Sequence, residues 1–126
     1  MKQDILLAKK VLKVEAQAVL KLISRINQDF ERSLDILERC AGRVIVTGMG
    51  KPGFIGRKIA ATFASTGTPS LFLHPAEAIH GDLGMVTKQD VVLAISNSGE
   101  TEEITKLLSI SQIKHHLYQL TVAKSR

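Results

Sequence analysis

Tryptophan is absent from the 126 residues, and aromatic side chains are scarce altogether, with one tyrosine and four phenylalanines. A surface on which nucleic-acid bases stack needs exposed aromatic faces, so this composition argues against that mode of binding. Cysteine occurs once, as Cys40. A single thiol forms no internal disulfide, no Cys/His spacing of metal-site type surrounds it, and a buried thiol near a helix end is the expectation. No basic run of five or more interrupts the chain, although the net charge is +5. Scattered lysines and arginines read as a solvated basic surface rather than a nucleic-acid interface. Only a short apolar run follows M-K-Q-D at residues 1–4, so neither a signal peptide nor a membrane span is expected, and the cytoplasm is the expected compartment. Internal repeats and low-complexity segments are missing too.

What is present is ordinary for a soluble domain: 44% hydrophobic and 23% charged residues, in a length suited to one domain with a real core. Residues 4–26 carry Ile5, Ala8, Leu12, Ala16, Val19, Ile23 and Ile26 at helical spacing, which predicts one long amphipathic helix. Asn27 or Asp29 is placed to cap a second helix to about residue 39, with Phe30, Leu34 and Leu37 inward and Ala41-Gly42 ending it. R-V-I-V-T at residues 43–47 is a β-branched strand. A glycine turn at 48–53 leads into a helix over 54–66, with Ile55, Ile59 and Phe63 on one face. Residues 70–73 read as a second strand, stopped by His74-Pro75. One helical turn at 76–80, a loop over 81–89 and a third strand over 90–95 follow. A further helix ends near Lys114, and residues 117–122 offer a fourth strand. Strands alternating with helices predict a parallel sheet with right-handed crossovers.

Two strand–loop–helix junctions concentrate the chemistry. After the third strand, S-N-S-G-E-T at residues 96–101 opens a helix marked by Ile104, Leu107 and Leu108. Free backbone N–H groups and the positive helix end make such a turn an anion site, and Ser96, Ser98 and Thr101 add hydroxyl donors. Taken alone, that loop is more often an ordinary cap. Its counterpart after the first strand, with Gly48, Gly50 and Gly53, spells the dinucleotide fingerprint G-x-G-x-x-G. That rival wants an acid at the end of the second strand, where this chain has Leu73-His74-Pro75-Ala76, and Lys51 is unusual inside a pyrophosphate cradle. Brought together at the carboxyl ends of a parallel sheet, the two loops would instead combine Lys51, a carboxylate from Glu100 or Glu103, and the three hydroxyls. A phosphate grip, a cation and a carboxylate suit proton transfer beside the carbonyl of a phosphorylated sugar.

Four ordered stretches carry a resemblance: V-I-V-T-G-M-G-K at 44–51, I-G-R-K-I-A-A-T-F-A-S-T-G-T-P at 55–69, H-P-A-E-A-I-H-G-D-L-G-M-V at 74–86 and A-I-S-N-S-G-E-T at 94–101. They resemble the first half of a sugar isomerase (SIS) domain, and within that family the arabinose-5-phosphate isomerases. The resemblance implies an α/β fold, a three-layer doubly wound parallel sheet of flavodoxin type, here apparently truncated, with two N-terminal helices. Residues 1–42 would be the helical lead-in and 43–126 the partial phosphosugar-binding domain. The implied reaction interconverts D-ribulose 5-phosphate and D-arabinose 5-phosphate for Kdo, lipopolysaccharide or capsule synthesis, with no redox cofactor and no metal.

By motif position Lys51 matches the family's active-site lysine, and Ser96, Ser98 and Thr101 its phosphate-binding hydroxyls, with Gly48, Gly50 and Asn97 in the same loops. Glu103 best matches a catalytic glutamate, Glu100 lying closer to the loop, and His80 matches a histidine near the site. Pro52 stands where the family usually has serine. From Ser109 the match fades, and the family's further strands carry another catalytic glutamate and a histidine. The expectation is therefore a sugar-phosphate binder that is weak or inactive as an isomerase in this short form. With the sheet edge beside the third strand left open, it is also expected to be a homo-oligomer, without nucleic-acid or membrane partners. The alternatives are a non-catalytic sugar-phosphate sensor or oligomerisation module, and a Rossmann-type dinucleotide-binding domain.

Overall fold

The two most apolar short runs, V-I-V-T-G and V-V-L-A-I-S, become the adjacent central strands of a parallel sheet. Strands covered on both faces read as continuous apolar runs rather than alternating ones. The computed structural model describes residues 2–96, 102, 106, 107 and 117–121. The chain divides into two units, residues 1–35 and 36–126.

In the first unit, α1 (Lys2–Leu20) is followed by a 3-10 turn (Ile23–Arg25) and the start of α2 (Gln28–Glu38). The predicted helix over 4–26 thus stops six residues early. Ser24 Oγ donates to the Lys21 carbonyl at 3.0 Å, Ile26 is extended, and Asn27 Oδ1 accepts from the N–H of Asp29 at 3.0 Å and of Phe30 at 3.3 Å. An N-cap residue itself has non-helical φ/ψ, so capping α2 at Asn27 keeps that residue out of the helix. The apolar residues of α1 stay exposed, Leu6 at 66% and Leu12 at 69%.

The second unit contains β1 (Val44–Gly48), α3 (Lys51–Ser65), β2 (Ser70–Phe72), α4 (Pro75–Ile79), a 3-10 turn (Asp82–Met85), β3 (Val91–Ser96) and β4 (Leu117–Thr121). The order across the sheet is β2-β1-β3-β4, with every pairing parallel. β4 runs beside β3 from Val92 opposite Leu117 to Ser96 opposite Thr121. The edge of β3 that was expected to lie open is therefore paired. One face of the sheet packs Ile45 and Val92 with Leu73, Ala78 and Leu107, and the other packs Val44, Val46 and Ile95 with Ala60. Two covered faces make three layers, the doubly wound flavodoxin-like arrangement.

α3 departs from its predicted form in two ways. It begins at Lys51 rather than at residue 54, with Pro52 in its first turn, where a fixed φ suits the helix. It also buries Gly53, Gly56 and Ala60, while Ile55 is 59% exposed. Small residues let the helix come down onto the sheet: a Cβ at Gly53 would lie 2.6 Å from the Gly48 carbonyl oxygen. Larger side chains on that face would hold it off.

At the amino ends of β1 and β3, the Asp90 carboxylate accepts from the Arg43 backbone N–H at 2.7 Å, from Arg43 Nη2 at 2.8 Å and from the Thr87 N–H at 2.9 Å. Arg43 Nη2 also donates to the Met85 carbonyl at 2.6 Å. Asp90, expected as the first residue of the third strand, instead precedes β3 and ties it to β1.

Candidate functional site

Sheet order decides where a ligand meets this fold. The chain passes from β1 outward to β2 on one side, then returns to place β3 and β4 on the other. The reversal lies between β1 and β3, and in open α/β sheets ligands bind outside the carboxyl ends of strands at such a point. Gly48 pairs with Ile95, so the turn after β1 and Ser96 emerge side by side at the same end.

The first wall of the crevice is the glycine turn. Gly50 precedes α3 with φ 63° and ψ −130°, a combination open to glycine and strained for other residues. That conformation lets the chain reverse from strand to helix and leaves Lys51 as the first helical residue, exposed at the crevice. Among the described residues Lys51 has no ion-pair partner. The second wall starts at Ser96, which is 2% exposed at the end of β3. Asn97, Ser98, Thr101 and both candidate carboxylates, Glu100 and Glu103, lie outside the described residues. Glu102 is described, and it pairs with Lys106 at 2.7 Å on the helix surface, which lowers the carboxyl pKa through that bond.

His80 ends α4 as an exposed C-cap, its N–H donating back to the Ala76 and Glu77 carbonyls. The structure thus brings Gly48, Gly50, Lys51 and Ser96 to one end of the sheet. His80 stands on the connection between β2 and β3.

Beside the glycine turn is a cavity of about 150 Å³, lined by Gly48, Gly50, Gly53, Phe54, Arg57, Phe72 and His74. Arg57 lies 4.3 Å above the Phe72 ring, and His74 Nδ1 accepts from the Ala76 N–H at 3.3 Å to cap α4. Sites for drug-sized ligands run to roughly 300–1,000 Å³, so this space is smaller than such a site. No acidic residue stands where β2 ends, at Phe72-Leu73-His74. Nothing local in the sequence marks Arg57 and His74 as neighbours of the turn. His-Pro at 74–75 marked only a strand stop, although the same dipeptide is a workable cap followed by a proline in the first helical turn.

Comparison with known proteins agrees with this geometry. The SIS domain family model matches residues 38–118. The chain is 59% identical over 102 residues to arabinose 5-phosphate isomerase KdsD of Yersinia pestis, covering 81% of this chain and 31% of that protein. Against KdsD of Escherichia coli K12 it is 58% identical over 107 residues, covering 85% of this chain and 33% of that protein. The chain therefore spans about a third of the length of the curated relatives it matches. Among solved structures, Escherichia coli CFT073 c3406 in complex with arabinose 5-phosphate superposes with a TM-score of 0.83 at 48% identity, covering 96% of this chain and 64% of that one. The dinucleotide-binding alternative finds no support in these likenesses.

Proposed function

Because the chain belongs to the SIS domain family, we propose that it is the phosphosugar-binding part of an aldose–ketose isomerase that interconverts D-ribulose 5-phosphate and D-arabinose 5-phosphate. Residues 43–126 would carry the site behind a helical lead-in of residues 1–42. The observation that carries the reading is the pairing of Gly48 with Ile95, which sets the glycine turn and Ser96 together at the topological reversal of the sheet. The relationship to KdsD proteins and to a structure solved with arabinose 5-phosphate supports the substrate.

In this mechanism the phosphate rests on backbone N–H groups and on the hydroxyls of Ser96, Ser98 and Thr101, with Asn97 in the same loop. A carboxylate removes the proton from the carbon next to the carbonyl, and a cis-enediolate forms. A hydroxyl proton passes between the two oxygens of the enediolate, and returning a proton to the neighbouring carbon completes the exchange of aldose and ketose. Glu103 is the base contributed by these residues, and Lys51 steadies the developing oxyanion or fixes the sugar hydroxyls. His80 contacts the sugar. The chain works as a homo-oligomer in the cytoplasm, and the exposed apolar residues of α1 support self-association.

A discontinuous assay with ribulose 5-phosphate, together with calorimetry and light scattering on the same sample, tests the reading. Binding of ribulose and arabinose 5-phosphates without binding of NAD is the expected result. Tight NAD binding alone would sink it, and a particle of monomer mass would remove the oligomer. The assay also reads how much turnover these residues sustain.

A further inference from the structure

The isomerase mechanism makes no use of the cavity of about 150 Å³ beside the glycine turn, and the lining of that cavity is one-sided in charge. Arg57 and His74 line it, and no acidic residue does. α3 supplies Gly53, Phe54 and Arg57 to the wall, and along its length it carries Lys51, Arg57 and Lys58 with no acid. No ion pair of Arg57 occurs among the described residues.

An aromatic ring holds the guanidinium at the wall instead. Its central carbon lies 4.3 Å from the centroid of Phe72, and Phe72 meets His74 edge-on with ring centroids 6.5 Å apart. A guanidinium stacked by its face keeps its N–H donors in its own plane, where two of them can meet an oxyanion together. His74 is fixed as well: Nδ1 accepts the Ala76 N–H at 3.3 Å, so the neutral ring carries its proton on Nε2 as a donor. The backbone of the turn adds little to this set. Pro52 has no N–H, and the N–H groups of Gly53 and Phe54 both go to the Gly50 carbonyl, at 2.9 and 3.3 Å. An anion at this wall is therefore a matter for side chains rather than for the helix end.

We propose that this cavity is a second anion site, which takes one inorganic phosphate on Arg57 and His74 while the sugar phosphate occupies the crevice between β1 and β3. At about 30 Å³ for each water, the space equals about five waters, the bulk of one such oxyanion. β1 separates β2 from β3, which sets the strand of Phe72 roughly 10 Å from the strand that ends in Ser96. Gly48 and Gly50 also line the cavity, so its occupant rests against the turn that places Lys51. The site goes beyond the phosphosugar reading and does not depend on it.

Calorimetric titration of the 126-residue chain with inorganic phosphate tests the assignment, on the free chain and on the chain saturated with arabinose 5-phosphate. Arg57→Met and Arg57→Lys variants are titrated alongside, each with a thermal melt. The saturated chain is expected to take up one phosphate still. Arg57→Met is expected to weaken that uptake roughly 10- to 100-fold and to leave sugar-phosphate affinity in place, and Arg57→Lys to restore part of the loss. No uptake by the saturated chain overturns the assignment, because phosphate then shares the sugar-phosphate crevice. Equal uptake by the methionine variant and the unaltered chain overturns it too, since the ion would be held elsewhere. Sugar-phosphate affinity that falls as far as phosphate affinity would place Arg57 in the crevice and end the second site. A methionine variant without a melting transition would also end it, because the guanidinium would be serving the fold. If the unaltered chain binds no sugar phosphate, the phosphosugar reading fails, and the titrations of the free chain and its variants still decide this site.

Discussion

Asp90 is 1% exposed and still ionised at neutral pH. Burial by itself would raise its carboxyl pKa, but the Arg43 guanidinium and the N–H groups of Thr87 and Arg43 outweigh burial and hold it at about 2. A folded value below the unfolded one means that the stabilisation is present above about pH 4 and drains away as pH falls from about 4 towards 2. Its size is about 2 kcal/mol. Acid titration of the melting temperature should show this loss, and Asp90→Asn should flatten the response in that window while lowering stability at pH 7 by about 2–4 kcal/mol. Sugar-phosphate affinity should survive the change, because Asp90 stands at the amino ends of the strands and the crevice at their carboxyl ends. At that other end, Glu103→Gln in an active relative bearing this motif should cut kcat by about 10²–10⁴-fold. Undiminished turnover would remove Glu103 from the mechanism.

Among the elements, α3 depends on a backbone approach that only glycine allows. Alanine at Gly53 would push a methyl group to 2.6 Å from the Gly48 carbonyl oxygen, and neither partner is a flexible side-chain end that can swing aside. Gly53→Ala should therefore destabilise the chain by about 1–3 kcal/mol and lift the helix start that carries Lys51. A denaturant midpoint unchanged from the unaltered chain would show that the helix tolerates the shift. The Asn27 cap is a milder case: Asn27→Ala should cost about 1 kcal/mol, read as fraying of α2 by hydrogen exchange.

For the whole molecule, the most direct consequence of a phosphosugar site is ligand-linked stability. Arabinose 5-phosphate at about 100 times its dissociation constant should add about 2.7 kcal/mol to unfolding, visible as a rise in melting temperature that grows with the logarithm of concentration. Inorganic phosphate should give part of that rise and NAD none. β4 matters at this scale as well. By pairing along β3 it occupies a strand that would otherwise present unpaired N–H and C=O groups.

By itself the sequence determined the strands and the glycine turn, because a strand buried on both faces must be apolar along its length and a strand-to-helix reversal needs a residue free of a Cβ. V-I-V-T, V-V-L-A-I and G-M-G-K satisfy those local conditions without reference to anything distant. The four ordered stretches from residue 44 to 101 likewise carry the SIS family resemblance in the sequence itself. Tertiary structure alone decided what depends on pairs far apart in the chain. The bond between Arg43 and Asp90 joins residues 47 positions apart. The buried face of α3 ran through Gly53, Gly56 and Ala60 rather than Ile55, because closeness to Gly48 and Phe72 set it, and helical spacing carries no information about what lies opposite. Strand order placed β3, not β2, beside Gly48, and that long-range pairing set the glycine turn and Ser96 at the same end of the sheet.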